Sequence, residues 1–125
     1  MYGLILFVIL VLVMWLYLPR LGWVGVTDAR DQLQQGAVLL DVRSQKEVEA
    51  QSVKGAQNIP VEELVSAIQK GELSKDRPIL LFCASGMRSG AARRTLRSYG
   101  YTEVENLGTV ARAQEAVGSG GRARG

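Results

Sequence analysis

Two short runs constrain this chain more than anything else in it: "AVLLDV" at residues 37–42 and "PILLFC" at residues 78–83. Each has the length of a strand and is apolar almost without a break. A strand with one wet face alternates apolar and polar residues, so an unbroken run means burial on both faces. That is the signature of a parallel sheet covered by helices on either side. Each run also ends in residues that carry chemistry, "LLDVR" and "LLFCASGMRS". In open α/β sheets, ligands collect beyond the carboxyl ends of the strands.

The segments between and around these runs read as helices. "TDARDQLQQG" offers Thr27 or Asp28 as a cap and Gly36 as a stop. Ser44 and Glu47 have capping-box spacing. "VEELVSAIQKG" places Val61, Leu64, Val65 and Ile68 at helical spacing before Gly71. "SGAARRTLRSYG" closes on Gly100 at the position expected after a helix C-terminus. "YTEVENL" is a further strand, and "VARAQEAV" a last short helix. "GSGGRARG" has too few apolar groups to pack and reads as a flexible tail. The expected division is a membrane helix at 1–19, a linker at 20–26, an α/β domain at 27–117 and a tail at 118–125.

The first eighteen residues, "MYGLILFVILVLVMWLYL", carry no charge. Fully helical, they reach about 27 Å, close to the thickness of a bilayer core. Trp15, Tyr17 and Trp23 gather near the far end, where amphipathic rings favour the interface. A cleaved signal peptide and a buried core helix are the rival readings. The first lacks its basic leader and its small-residue cleavage site, so a single-pass anchor is favoured. Arg20 and Arg30 follow the span and no basic residue precedes it, which puts the domain on the cytoplasmic side.

Composition removes several classes of function. The chain has no histidine, which excludes Ser-His-Asp and Cys-His catalysis and argues against a zinc site. One cysteine excludes a CxxC redox pair within the chain. Fifteen basic and twelve acidic residues are interspersed, without the concentrated patch that nucleic-acid binding needs. No metal or cofactor is called for.

That one cysteine, Cys83, ends the second apolar run. Ala84, Ser85, Gly86, Met87 and Arg88 lie between it and a helix starting near Ser89. A turn of this kind aims backbone N–H groups inward and makes a nest for an anion, reinforced by the helix N-terminus. Gly86 admits a positive φ, and Arg88 adds a fixed charge with a forked donor. Both favour a thiolate at Cys83. A buried structural cysteine is the plainer reading, but strand end, glycine, arginine and helix start coincide here. Ser89 reads as the helix cap, with Ser85 a second hydroxyl near the sulfur, and Met87 as an apolar contact of the loop. Asp41 and Arg43 read as support, with Arg43 within i,i+4 reach of Glu47. Arg93, Arg94 and Arg97 read as a solvated helix face whose field also favours anions.

"CASGMRS" resembles the active-site loop of rhodanese-type sulfurtransferases, C-x-x-G-x-R-S. "GAVLLDVRSQKEVEAQSVKGAQNIP" and "GYTEVENLG" resemble two further family segments, in the same order and spacing. The resemblance covers about residues 27–117. It implies a rhodanese-like α/β fold with a central parallel sheet of about five strands, flanked by helices on both faces. It also implies a sulfurtransferase in which Cys83 takes a sulfane sulfur from a donor such as thiosulfate, holds it as a persulfide and passes it to cyanide, a thiol or a protein. The amides of residues 84–88 would hold the persulfide, and Arg88 would help bind the anionic donor. Departures from the family pattern fall at Gln51, Ser52, Lys54 and Thr109. Phosphatases with a related cysteine loop need Cys-x5-Arg, whereas Cys83 and Arg88 are spaced Cys-x4-Arg. A tethered interaction or sulfur-sensing module without turnover is the alternative from another functional class.

Overall fold

The computed structural model describes residues 1–18 and 22–123. A four-stranded parallel sheet is ordered β2-β1-β3-β4, with β1 at Val38–Asp41, β2 at Gln57–Asn58, β3 at Ile79–Cys83 and β4 at Val104–Thr109. The helices are α1 (Tyr2–Tyr17), α2 (Val26–Gln34), α3 (Gln45–Ala50), α4 (Leu64–Gln69), α5 (Met87–Ser98) and α6 (Val110–Ala123). The α/β architecture is the expected one, with four strands in place of about five. Where a fifth would lie, beside β4, the pairing is reduced to one parallel bridge between Trp23 and Asn106.

The apolar run of β3 divides by side-chain alternation. Ile79, Leu81 and Cys83 join Leu64, Ala92, Leu96 and Val104 in a core on the α4/α5 side. Leu80 and Phe82 join Ala29, Leu107, Ala113 and Ala116 in a second core on the α2/α6 side. All five residues of β3 are buried, which is why the run tolerates no polar residue. Cys83 thus belongs to the α5 face.

Local signals explain most boundaries. Ser44 and Glu47 form the capping box at α3. Gly100, at φ +93°, follows the end of α5. The start of α2 differs from expectation: Gly25 is its N-cap and no side chain bonds there. A register shift between Leu81 and Phe82 marks a bulge in β4, where Leu81 faces Asn106 and Phe82 faces Gly108. Helix α6 runs through Ala123, beyond Gly118 where the tail was expected to begin. Residues 124–125 lie outside the described residues, as do Pro19, Arg20 and Leu21 of the expected anchor and linker.

The expected membrane anchor is overturned. Among the described residues no helix is long and apolar enough to cross a membrane. Counting uncharged residues overstates the helix, because Met1 and Leu18 fall outside α1. Its sixteen residues reach about 24 Å against a hydrocarbon core of about 30 Å. The cytoplasmic placement, which rested on a span and on Arg20, goes with it. The core-helix reading fails as well, since no residue of α1 is buried. Trp23, read as an interfacial ring, instead bridges to the sheet edge.

Beneath the carboxyl end of β1 lies a buried ion pair. Arg43 donates to Asp41 from Nη2 at 2.7 Å and from Nε at 3.0 and 3.1 Å, and its own backbone N–H reaches Asp41 Oδ1 at 3.0 Å. Arg43 Nη2 also donates to the Gln51 carbonyl at 2.7 Å, which ties down the end of α3. The departure at Gln51 is therefore harmless there, since any residue offers a carbonyl. Removing one partner strands a buried charge, so Arg43→Met is expected to cost about 3 kcal/mol. Urea denaturation would show this as a lower midpoint, and an unchanged midpoint would refute the structural role given to the pair.

Candidate active site at the end of β3

The chain reverses sharply after Cys83 because Gly86 adopts φ +86° and serves as the N-cap of α5. Bulkier residues rarely adopt that conformation. The turn aims the Gly86 N–H at Cys83 Sγ at 3.0 Å, and the first turn of α5 brings the Ser89 N–H to 3.4 Å. The Ser89 hydroxyl also lies 3.4 Å from Sγ. Ser89 is thus not the cap expected of it. It is buried inside α5 with its hydroxyl facing the sulfur.

Cys83 is a free, fully buried thiol. Burial alone pushes its pKa up. The Ser89 hydroxyl and the N–H groups of Ser89, Ser85 and Gly86 pull it down by more, so the net shift is below the ordinary thiol value. Ala84, Ser85 and Met87 are exposed along the outer side of the loop, with Met87 at 66 %. Met87 therefore lies at the rim of the loop.

The Ser89 hydroxyl has one proton and two acceptors. It donates to Asn106 Oδ1 at 2.8 Å, and it can donate to Sγ only by turning away from Asn106. With a neutral thiol, the S–H donates to Oγ while Oγ donates to Asn106. With a thiolate, the hydroxyl swings to the sulfur. Asn106 has other work to hold it in place: its Nδ2 donates to the Gly86 carbonyl at 3.1 Å, and its Oδ1 accepts from the Gly108 N–H at 3.0 Å. The bulge in β4 aims this side chain under the loop. Nothing singled out Asn106 in the sequence beyond a polar residue inside "EVENL".

Arg88 is not free. Glu47 accepts from its Nη1 and Nη2 at 2.7 and 2.9 Å, a two-pronged pair about one-third exposed. Hydrogen bonds from Arg88 and the Ser44 backbone hold the Glu47 carboxyl at about 2. Arg43, expected to pair with this carboxylate, reaches only the Glu47 backbone carbonyl at 3.4 Å and spends its charge on Asp41. Glu47 thus caps α3 and orients Arg88 across the site. Its role was hidden because 41 residues separate it from Arg88. At the last departure, Thr109 stands opposite Cys83 in the sheet register and accepts from the Arg112 N–H at 3.3 Å, capping α6.

Trp23 completes the wall. Its indole lies over Gly86 and Gly108, both at positive φ, and a Cβ built on either would fall 2.3 or 2.6 Å from the ring. Arg112 stacks over the indole at 5.6 Å and donates to the Val24 and Leu107 carbonyls at 2.6 and 2.7 Å.

The profile of the Rhodanese-like domain matches residues 25–109. The chain belongs to the rhodanese-like family. It is 44% identical over 71 residues to the uncharacterized protein YqhL of Bacillus subtilis, a match spanning 57% of this chain and 55% of that one. The chain thus spans about half the length of that relative. It is 36% identical over 96 residues to the thiosulfate:glutathione sulfurtransferase of Homo sapiens, covering 66% of this chain and 84% of the relative. The human single-domain sulfurtransferase TSTD1 superposes with a TM-score of 0.58 at 35% identity, over 68% of this chain and 87% of that one. These likenesses agree with a rhodanese-type sulfurtransferase.

The Cys83 thiol is expected to titrate below the ordinary thiol value. Because the folded pKa is the lower one, this group adds stability above the unfolded pKa and loses it as pH falls through the folded pKa. Ser89→Ala should raise the folded pKa, because the charged form loses the Ser89 hydroxyl as a hydrogen-bond donor. Ultraviolet thiolate absorbance against pH measures both values. Identical titrations for the two proteins would remove Ser89 from the site.

Proposed function

We propose that the protein is a sulfurtransferase that carries sulfane sulfur on Cys83, with thiosulfate as donor and an external thiol or cyanide as acceptor. The observation that supports this best is the convergence of the Gly86 N–H, the Ser89 N–H and the Ser89 hydroxyl on Cys83 Sγ. Such a cradle stabilises negative charge on sulfur, which a thiolate and a persulfide both carry. The relative named for thiosulfate and glutathione fits this donor and acceptor.

In the first half-reaction the Cys83 thiolate attacks the outer sulfur of thiosulfate. A new S–S bond forms to Sγ, the bond from that sulfur to the sulfonate breaks, and sulfite leaves with the electron pair. No base is assigned: the thiolate form of Cys83, which the cradle favours, is the nucleophile. Arg88, oriented by Glu47, supplies positive field where the dianion approaches. In the second half-reaction an acceptor thiol attacks the outer sulfur. The Cys83 S–S bond breaks, Sγ recovers its electron pair as thiolate, and the product persulfide keeps the thiol proton. Cys83 is the sole cysteine, so no internal thiol can resolve the persulfide.

Intact mass after thiosulfate treatment should rise by one sulfur, about 32 Da, and Cys83→Ser should show no rise. An equal gain in Cys83→Ser would refute the carrier role. No gain in the parent protein would indicate a binding module that does no sulfur chemistry. Arg88→Ala should raise the KM for thiosulfate by about tenfold, the loss of one charge-assisted contact. Wild-type kinetics in that variant would take donor binding away from Arg88.

A further inference from the structure

Beside the cysteine cradle, on the flank of α5, lies a cavity of about 420 Å³, within the range of small-molecule sites. Its walls include Trp23, Gly86, Met87, Arg93, Arg94 and Asn106. Three of these tie it to the sulfur site. Gly86 gives its N–H to Cys83 Sγ, Asn106 accepts from Ser89, and Met87 follows in the same loop.

The charge of the cavity is one-sided. No aspartate or glutamate lines it. Arg93 uses Nε on the Val104 carbonyl at 2.8 Å, which fixes its side chain in the wall of the cavity. Arg94 is exposed, and neither arginine is paired with a carboxylate among the described residues. By contrast, Arg43 and Arg88 each hold a carboxylate. The other walls are soft: an indole, a thioether and glycine backbone. A ligand that fits carries at least two negative groups on a flexible, partly apolar frame and is larger than thiosulfate.

We infer that this cavity is an acceptor subsite for a thiol bearing carboxylates, of the size of a tripeptide, held by Arg93 and Arg94 against Trp23 and Met87. This deepens the sulfurtransferase reading and rests on it for the word acceptor. Held by its carboxylates, such a thiol lies beside the loop that carries the persulfide. It attacks the outer sulfur, forming one S–S bond as the bond to Cys83 Sγ breaks. Cyanide, small and singly charged, needs no such grip. The subsite therefore sets acceptor choice and leaves donor loading to the cradle and Arg88.

Two measurements test this. S-methylglutathione has the carboxylates without a reactive thiol. In a Trp15→Phe background, which leaves Trp23 as the one tryptophan, its binding should change the tryptophan emission saturably, and Arg94→Glu should abolish that change. In steady-state assays, Arg94→Glu should lower the ratio of kcat/KM for glutathione to kcat/KM for cyanide by about fivefold, the scale of reversing one exposed charge. The loss should shrink in high salt. An unaltered ratio, or an emission response that Arg94→Glu leaves intact, would overturn the subsite. So would a loss confined to the KM for thiosulfate, which would give the arginines to the donor. If the ligand binds as expected but no persulfide ever forms on Cys83, the sulfurtransferase reading fails while the anion cavity stands.

Discussion

The site depends on a single backbone conformation, the left-handed turn at Gly86. It lets β3 pass into α5 within three residues of Cys83, and it turns the Gly86 N–H back onto Sγ at 3.0 Å. Two neighbours hold it there. The Asn106 amide takes the Gly86 carbonyl, and the Trp23 ring fills the space a Cβ would need. A sulfur anion is thereby solvated by groups that were oriented during folding. Water would have to be ordered to do the same, which is why a fixed cradle costs no reorganisation when charge forms.

Charge around the cradle is managed in pairs. Asp41 and Arg43 are buried together and join the end of β1 to the end of α3. Glu47, at the start of α3, then holds Arg88 at the start of α5. The two pairs run in series from one strand end to the next, so the tips of β1 and β3 share one electrostatic frame. The arginines of the α5 flank stand outside this series, with no carboxylate partner among the described residues.

Much of this was legible in the residues. The apolar runs gave the parallel strands because burial on both faces leaves no polar position to mislead. The cysteine loop was legible because its parts are contiguous: Gly86, Arg88 and Ser89 all lie within six residues of Cys83. What stayed hidden is assembled by tertiary contact. Glu47 had a complete local explanation as a capping residue, which masked its partnership with Arg88. Asn106 shows its role only once the β4 bulge turns it under the loop. Ser89 looked like a cap because hydroxyls favour helix starts, but Gly86 holds that position. The uncharged N-terminal run has the count of a membrane span, yet its helix is shorter than its uncharged stretch.

The division of the sheet into two cores has a consequence for how this domain can vary. Cys83, Ala92 and Val104 belong to the α4/α5 side, and Ser89 and Asn106 meet the sulfur from α5 and β4. The α2/α6 side, with Leu80, Phe82 and Leu107 at its centre, contributes no group to the sulfur. It reaches the site through the segment that carries Trp23, clasped by Arg112 of α6, and through Phe82, whose ring lies 5.9 Å from the Arg43 guanidinium. Drift in side-chain volume on that face therefore reaches the thiol by way of these two contacts. A shift of α6 that moves Arg112 would be transmitted, through the indole, to the turn that cradles Cys83.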